Sequence, residues 1–461
     1  MLPEPPVCYR AIAARDRRFD GVFFTAVKTT GVFCRPVCPA RTPLAKNVMF
    51  FASAAGAIAA GFRPCLRCRP EVSPESPAWR GTASTVERGL RLIEEGALDD
   101  SSVERLAERL GVSDRHLRRL FLDHLGATPV EVAQARRALF AKRLITESAL
   151  SFTEIAVAAG YSTVRRFHQA MRQVYGFNPT ELRRQTAHKP AGFIEFVLPY
   201  RPPYHWEAMM AFLGPRALTT CESVTPECYR RHEAAFQLEV RHDAAALALR
   251  ARIAASDTGL LRGIVDRVRR FFDLAADGAT IAADLERSPL LRDKVARNRG
   301  IRVPGCWDPF ELMIRAILGQ QVTVRGASTL MNRLVEQFGR PAAEVLAEAP
   351  VEQIGLPGKR AETIRGVARA VADGALPLDG SIPAAEAIER MVALPGLGPW
   401  TANYVAMRAL GAPDAFPASD MGLLKASGAR SARELERTAE EWRPWRSYAA
   451  FYLWHQEQEK A

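Results

Sequence analysis

Four of the eight cysteines stand in two close pairs, Cys34-Arg35-Pro36-Val37-Cys38 and Cys65-Leu66-Arg67-Cys68, with 26 residues between the pairs. Two such pairs in a short stretch punctuated by Gly and Pro suit a tetrahedral zinc site with four thiolate ligands. Metal binding there supplies folding energy that so small a segment cannot draw from its own core. On spacing alone the site is either structural or reactive, because a metal-bound thiolate is also a nucleophile. The second chemically suggestive stretch is Leu394-Pro395-Gly396-Leu397-Gly398-Pro399-Trp400-Thr401-Ala402-Asn403-Tyr404, a helix–hairpin–helix signature. Its glycines let backbone N–H groups approach a phosphate, and the helix that follows adds a favourable N-terminal dipole. Gly396, Gly398 and Thr401 are therefore candidate DNA contacts. Asp420 lies 20 residues beyond Trp400; taken alone, it reads as a helix cap.

These groups need elements to hold them. In SVERLAERLGVSDRHLRRLF, Ser102–Leu110 predicts a first helix and Gly111 a turn. Ser113 then caps a second helix that carries Arg115, His116, Arg118 and Arg119. The unit recurs in FTEIAVAAGYSTVRRFHQAM, with Gly160 at the turn and Ser162, Thr163, Arg165, Arg166 and His168 on the second helix. A helix around 130–144 joins the two. Second helices of such units enter the major groove, which makes Arg115, Arg118, Arg119, Arg165 and Arg166 candidate DNA contacts. Leu117, Leu120, Phe121, Phe167 and Met171 read as core.

Charge agrees with this division. Residues 1–190 carry 29 Lys and Arg against 18 Asp and Glu, which accounts for eleven of the twelve net positive charges of the chain. Such a one-sided surplus is the footprint of a phosphate-binding region. At 461 residues the chain is too long for one core. Two breaks in periodicity, at Glu71–Gly81 and Thr186–Gly192, mark joints. FIEFVLPY and AFQLEVRH read as strands with the helix HWEAMMAFLGPRAL between them, and 258–275 and 307–461 as mostly helical. The expected fold is multidomain and mainly α. It comprises a small α+β four-cysteine domain (1–75), an all-α double helix-turn-helix domain (84–187), an α+β subdomain (193–295) and an all-α helix–hairpin–helix domain (296–461). Neither a signal sequence nor an apolar run long enough for a membrane span is read. A cytoplasmic protein with reduced cysteines is expected.

The stretch TTGVFCRPVCPARTPLAKNVMFFASAAGAIAAGFRPCLRCRP closely resembles the N-terminal domain of Ada-type adaptive-response proteins. The resemblance implies one zinc ion on Cys34, Cys38, Cys65 and Cys68, with Cys34 accepting a methyl group from a DNA methylphosphotriester. Methylation would take the formal charge of the cluster from −2 to −1 and raise DNA affinity. Arg35 and Arg67, which flank ligands, are the expected phosphate contacts. The paired helix-turn-helix units, closed by Gly176-Phe177-Asn178-Pro179, resemble the AraC-type DNA-binding domain.

Residues 193–461 resemble 3-methyladenine DNA glycosylase II of the helix–hairpin–helix superfamily. Besides the hairpin and Asp420, the match rests on Tyr200-Arg201-Pro202-Pro203-Tyr204, Val303-Pro304-Gly305, Arg315-Ala316-Ile317-Leu318-Gly319-Gln320, Pro357-Gly358-Lys359-Arg360-Ala361 and Trp442-Arg443-Pro444-Trp445-Arg446-Ser447-Tyr448-Ala449. It implies that Asp420 stabilises the sugar cation formed as a flipped base leaves, and that Trp400, Tyr404 and Trp454 line the base pocket. Gln320 and Gln321 are then expected at the DNA. Gln321 stands where the family places a Leu wedge, which bears on excision efficiency or substrate range. Relatives that also cleave the strand carry Lys where this chain has Trp400, so base excision without strand cleavage is expected. No cysteine follows Cys306, so no iron–sulfur cluster is expected.

Together these resemblances imply adaptive-response repair of alkylated DNA, in which Cys34 switches a regulator and Asp420 serves hydrolysis of the N-glycosidic bond of alkylated bases. The alternative is a transcription regulator whose glycosylase-like half binds DNA without excising. The implied partners are alkylated and promoter duplex DNA and RNA polymerase, with no membrane and a monomeric chain. The Pro-Cys-His-Arg motif of O6-methylguanine acceptors does not occur in the sequence, so direct guanine repair is not expected.

Overall fold

A computed structural model describes residues 2–74, 84–184 and 192–459. Most of the two joints read from the sequence lies outside the described residues. The chain divides into two compact units, Met1–Arg201 with Glu233–Arg269 and Leu274–Ala276, and Pro202–His232 with Arg270–Asp273 and Asp277–Ala461.

The first unit begins with a four-stranded sheet in the order Val48–Phe51, Phe24–Val27, Val32–Cys34, Arg63–Pro64. The first two neighbour pairs are antiparallel and the last is parallel. Its core is small, built on Phe24, Ala26, Phe33 and Ala57, with a second cluster around Cys8, Ile12 and Phe23. So little buried apolar surface is the condition under which a metal stabilises a fold. The sheet ends strand Val32–Cys34 on one ligand and places Cys65 directly after strand Arg63–Pro64.

Helices Val103–Arg109 and Asp114–Leu125 follow, then Pro129–Glu147, Phe152–Ala158 and Val164–Tyr175. Their starts are fixed by side chains read from the sequence: Ser113 accepts the His116 N–H, and Thr163 accepts that of Arg166. Gly111 and Gly160, at φ 71° and 79°, make the two tight turns in the left-handed region that favours glycine. Leu117, Phe121, Phe167 and Met171 are fully buried, and Leu120 packs half-buried against the cluster that holds Leu117 and Phe121. Two details differ from expectation. The joining helix runs Pro129–Glu147, longer than 130–144 at both ends, and a capping box of Thr128 and Glu131 fixes its start. Ser162 and Thr163 precede the second recognition helix rather than riding on it.

Helix Pro129–Glu147 carries buried charges that tie this unit together. Lys142 pairs with Glu71, and Glu147 pairs with Arg69 and Arg143. The Arg143 guanidinium also donates to the Val197 carbonyl at 3.1 Å. Val197 belongs to strand Ile194–Pro199, which pairs antiparallel with Ala248–Ala255, itself paired with Phe236–Asp243. Phe196, Leu238, Val240, Ala251 and Ile253 alternate inward on these strands and are buried.

The second unit is mainly helical. Helix Pro309–Leu318 is apolar on nearly every face and buries Leu312, Met313, Ile314, Ile317 and Leu318. Helices Ala384–Val392 and Pro399–Arg408 flank the hairpin. Gly396 sits there at φ 85°, and a Cβ on it would fall 2.0 Å from Thr363 Oγ1. Gly396→Ala is therefore expected to cost about 1–3 kcal/mol of stability and to weaken binding to undamaged duplex. Thermal unfolding and a binding titration check this. An unchanged Tm with unchanged affinity would refute it.

Candidate functional site

Cys34, Cys38, Cys65 and Cys68 converge so that their Sγ atoms all lie within 4.8 Å of one another. Four sulfurs about 2.3 Å from a shared centre stand roughly 3.8 Å apart, so the cluster fits one tetrahedral zinc ion. Cys68 is buried, whereas Cys34, Cys38 and Cys65 are half-exposed. Backbone geometry holds the set: the Cys65 N–H donates to the Phe33 carbonyl at 2.9 Å, and the Arg35 N–H to Cys68 Sγ at 3.4 Å. Such outer contacts orient the ligands.

Arg35 departs from its expected place at a phosphate. Its Nε donates to Asp20 Oδ1 at 2.9 Å, a second guanidinium nitrogen pairs with Asp20 Oδ2, and Nη1 donates to the Cys68 carbonyl at 3.3 Å. Only 12% of the Arg35 side chain is exposed, so its charge braces the ligand loop. Arg67 is exposed, as a phosphate contact requires. Arg115, Arg119, Arg165 and Arg166 are exposed on the second helices of the two units. Arg118 is half-exposed and pairs with Glu104 and Asp114.

In the second unit the sequence-predicted groups of the base pocket come together. Asp420 caps helix Met421–Ser427, its Oδ1 accepting the Leu423 N–H at 3.0 Å. The same carboxylate accepts the Trp454 indole N–H on Oδ1 and the Trp400 indole N–H on Oδ2, each at 2.8 Å. A carboxylate offers about four lone-pair sites. Three donors leave Asp420 fixed and still able to face a positive centre. Trp400 stacks on Tyr404 with ring centroids 5.3 Å apart and planes 7° from parallel. Trp454 closes on Tyr404 at 6.3 Å and 66°. Lys425 is exposed.

The loop after helix Pro309–Leu318 shows a second departure. Gln320 does not point to solvent: its amide donates to the Gly396 carbonyl at 3.2 Å and to Thr401 Oγ1 at 3.1 Å. Thr401 is 2% exposed. Both side chains therefore fasten the loop to the hairpin instead of reaching outward. Gln321 is exposed at φ 58°, a left-handed conformation uncommon outside glycine. Gly396 and Gly398 remain accessible at the hairpin tip.

Arg408 is the site residue that sequence reasoning missed. It is 6% exposed and donates from Nε to the Pro304 carbonyl, from Nη2 to the Gly305 carbonyl and from Nη1 to the Tyr404 oxygen, at 2.8, 2.8 and 2.7 Å. An Arg ending an amphipathic helix reads as surface, and nothing in its spacing signals a buried cation. Burial would raise the Tyr404 phenol, but Arg408, Arg216 and Arg315 outweigh it and hold the phenol below its ordinary range.

Family matches are described as "Metal binding domain of Ada" over residues 7–71, "Helix-turn-helix domain" over 106–185, "AlkA N-terminal domain" over 195–308 and "HhH-GPD superfamily base excision DNA repair protein" over 314–443. DNA-3-methyladenine glycosylase 2 of Escherichia coli is 31% identical over 57% of this chain and 97% of its own length. Among solved structures, the 3-methyladenine DNA-glycosylase from Archaeoglobus fulgidus covers 58% of this chain and 99% of its own with a TM-score of 0.50, and at 20% identity it shows the fold alone. The probable bifunctional transcriptional activator/DNA repair enzyme AlkA of Mycobacterium tuberculosis is 40% identical over 97% of this chain and 95% of its own length. With the four-cysteine cluster, the paired helix-turn-helix units and the Asp420 pocket all present in one chain, this protein belongs to that bifunctional activator and repair family.

Proposed function

We infer that this protein senses and repairs alkylated DNA, using the zinc cluster for backbone lesions and the Asp420 pocket for base lesions. The observation that carries the reading is the Asp420 carboxylate held by two indole N–H donors beside a stacked Trp400–Tyr404 pair. The four segments 1–75, 84–187, 193–295 and 296–461 are its working divisions.

At the first site, Cys34 attacks the methyl carbon of a phosphotriester. An S–C bond forms, the C–O bond breaks, and the phosphodiester leaves as an anion. When bound, zinc supplies the positive centre that keeps the thiol ionised at neutral pH. Each Cys34 reacts once. The methylated chain then binds promoter DNA through Arg67, Arg115, Arg118, Arg119, Arg165 and Arg166, and engages RNA polymerase as a monomer.

At the second site, an alkylated purine flips from the stack onto Trp400, Tyr404 and Trp454. A cationic base leaves readily, so the pocket need not protonate it. Asp420 faces the developing sugar cation and positions the water that completes hydrolysis. Trp400 leaves no amine for a Schiff base, so the abasic strand stays intact. Release of 3-methyladenine in molar excess over protein separates this reading from a chain that only grips DNA. Binding without release would overturn it.

Gln321 fills the space of the flipped base with a polar amide. Gln321→Leu is expected to raise single-turnover excision severalfold, because an apolar wedge suits the stack better. Equal or slower excision by the variant would contradict that role.

A further inference from the structure

Gln321 holds a backbone conformation that costs energy, and its neighbours keep it there. At φ 58° it lies in the left-handed region, whereas Gly319, two residues earlier, stays right-handed at φ −77°. A helix that merely had to end would put the glycine at the left-handed position.

The residues on both sides of Gln321 are pinned. The Gln320 side-chain amide donates to the Gly396 carbonyl at 3.2 Å and to Thr401 Oγ1 at 3.1 Å. The Gln320 carbonyl accepts from Arg360 Nη2 at 2.8 Å. That carbonyl belongs to the 320–321 peptide plane, so its direction sets the φ of Gln321. On the other side, Thr323 caps helix Val324–Phe338, its Oγ1 accepting the Gly326 N–H at 3.1 Å. Arg360 lies in the first turn of helix Gly358–Ala372, and the same helix sets Thr363 against Gly396. Loop, hairpin and this helix therefore meet in pairs, with Gln320 joined to both of the others.

What remains outside is equally specific. Gln321 is exposed, and among the described residues no hydrogen bond engages its amide. Val322 and Val324 are each 40% exposed, an apolar edge of the kind that enters a base stack. Strain of this sort persists where surrounding contacts over-determine it, and it collects at functional positions.

We propose that Gln320 and Arg360 are positioning residues for base flipping. They hold Gln321 at one offset from the hairpin, so that phosphate capture by Gly396 and Gly398 brings a preformed wedge to the stack. Resting on the glycosylase reading of this half, the assignment deepens it by naming what turns grip on the backbone into extrusion of the base. Neither residue touches the base. Gln320 acts by tying loop to hairpin, and Arg360 acts through the Gln320 carbonyl. A preformed wedge avoids ordering the loop at the moment of flipping. The gain applies where a base must be parted from its partner. A lesion opposite an abasic site has no partner, and its extrusion costs less.

The test is single-turnover excision of 7-methylguanine by saturating full-length protein. One duplex places cytosine opposite the lesion and the other an abasic site. Gln320→Met and Arg360→Met are each expected to lower the cytosine-to-abasic rate ratio on the order of tenfold. Arg360→Lys, which can still donate to the Gln320 carbonyl, is expected to restore most of it. Asp420→Asn acts after extrusion, so it slows both substrates and keeps the wild-type ratio. A role confined to stability would lower the unfolding midpoint and scale both rates together. An unchanged ratio in Gln320→Met overturns the proposal, and a Lys variant no better than Arg360→Met overturns its Arg360 half.

A second readout needs no chemistry. 2-Aminopurine placed beside the lesion brightens as the stack opens, and the rise on binding is expected to be smaller in Gln320→Met than in wild type. If wild type releases base from neither duplex, the glycosylase reading fails, and this fluorescence still decides the role of Gln320. An equal rise in the variant overturns it. Should Gln320→Met not fold, Arg360→Met carries both readouts.

Discussion

A chain carrying Cys34→Ala is expected to take no methyl from methylphosphotriester DNA, whereas Cys8→Ala transfers it as wild type does. Cys34 ends strand Val32–Cys34 and is half-exposed, so a backbone phosphate can approach it. Cys68 is buried and already accepts the Arg35 N–H, which leaves it poorly placed to attack. Cys8 is fully buried, and burial pushes its thiol up to about 11, so it stays protonated and inert at neutral pH. Losing Cys34 also removes a metal ligand, so zinc content and the unfolding midpoint of the variant should fall together. Counting labelled methyl groups per chain checks the transfer itself, with about one expected in wild type. Undiminished transfer by Cys34→Ala would remove Cys34 as the acceptor.

Asp420→Asn is expected to slow base release by about 10²–10³-fold while DNA binding and folding persist. The amide oxygen can still cap helix Met421–Ser427, because Asn serves as an N-cap about as well as Asp. It can accept the Leu423 N–H and an indole N–H on one side only. The NH2 group then confronts the other indole donor, so the two-sided hold by Trp400 and Trp454 is lost. Above all, the variant offers no negative charge to the sugar as the base departs. Fold and charge thus separate cleanly in this substitution. Equal unfolding midpoints with unequal release rates are the expected pair of observations, read by thermal melting and by chromatographic quantitation of free base. A release rate within a few-fold of wild type would show that the charge is not used.

Much of this arrangement is written in local sequence. Ser113 and Thr163 cap their helices, Gly111 and Gly160 turn, and the cysteine pairs converge, because each depends on neighbours within a few residues or on ligand chemistry that tolerates one geometry. Asp420 is the helix cap that its place in the sequence reads as, and the same carboxylate accepts two indole N–H groups that only tertiary packing brings to it. What stayed hidden are partners brought together by tertiary packing. Arg35 beside two ligands looks like a phosphate contact until Asp20, 15 residues earlier, takes its guanidinium. Gln320 and Thr401 sit in loop and hairpin motifs that suggest DNA, yet they bond to each other across the unit. Arg408 has the pattern of a surface charge, and its burial follows from the carbonyls of Pro304 and Gly305, roughly a hundred residues away. A charged side chain reads alike in sequence whether it meets a phosphate, a carboxylate or a phenol.

One chain is expected to carry both a single-use methyl acceptor and a base-releasing pocket that turns over. Free 3-methyladenine released from excess methylated duplex tests it most directly, followed over time with wild type, Cys34→Ala and Asp420→Asn side by side. Wild type and Cys34→Ala are expected to release many equivalents of base per chain at similar rates, and Asp420→Asn to bind the same duplex and release almost none. Contradiction would take the form of wild-type protein that binds the duplex and leaves every alkylated base in place, or of Asp420→Asn keeping pace with it.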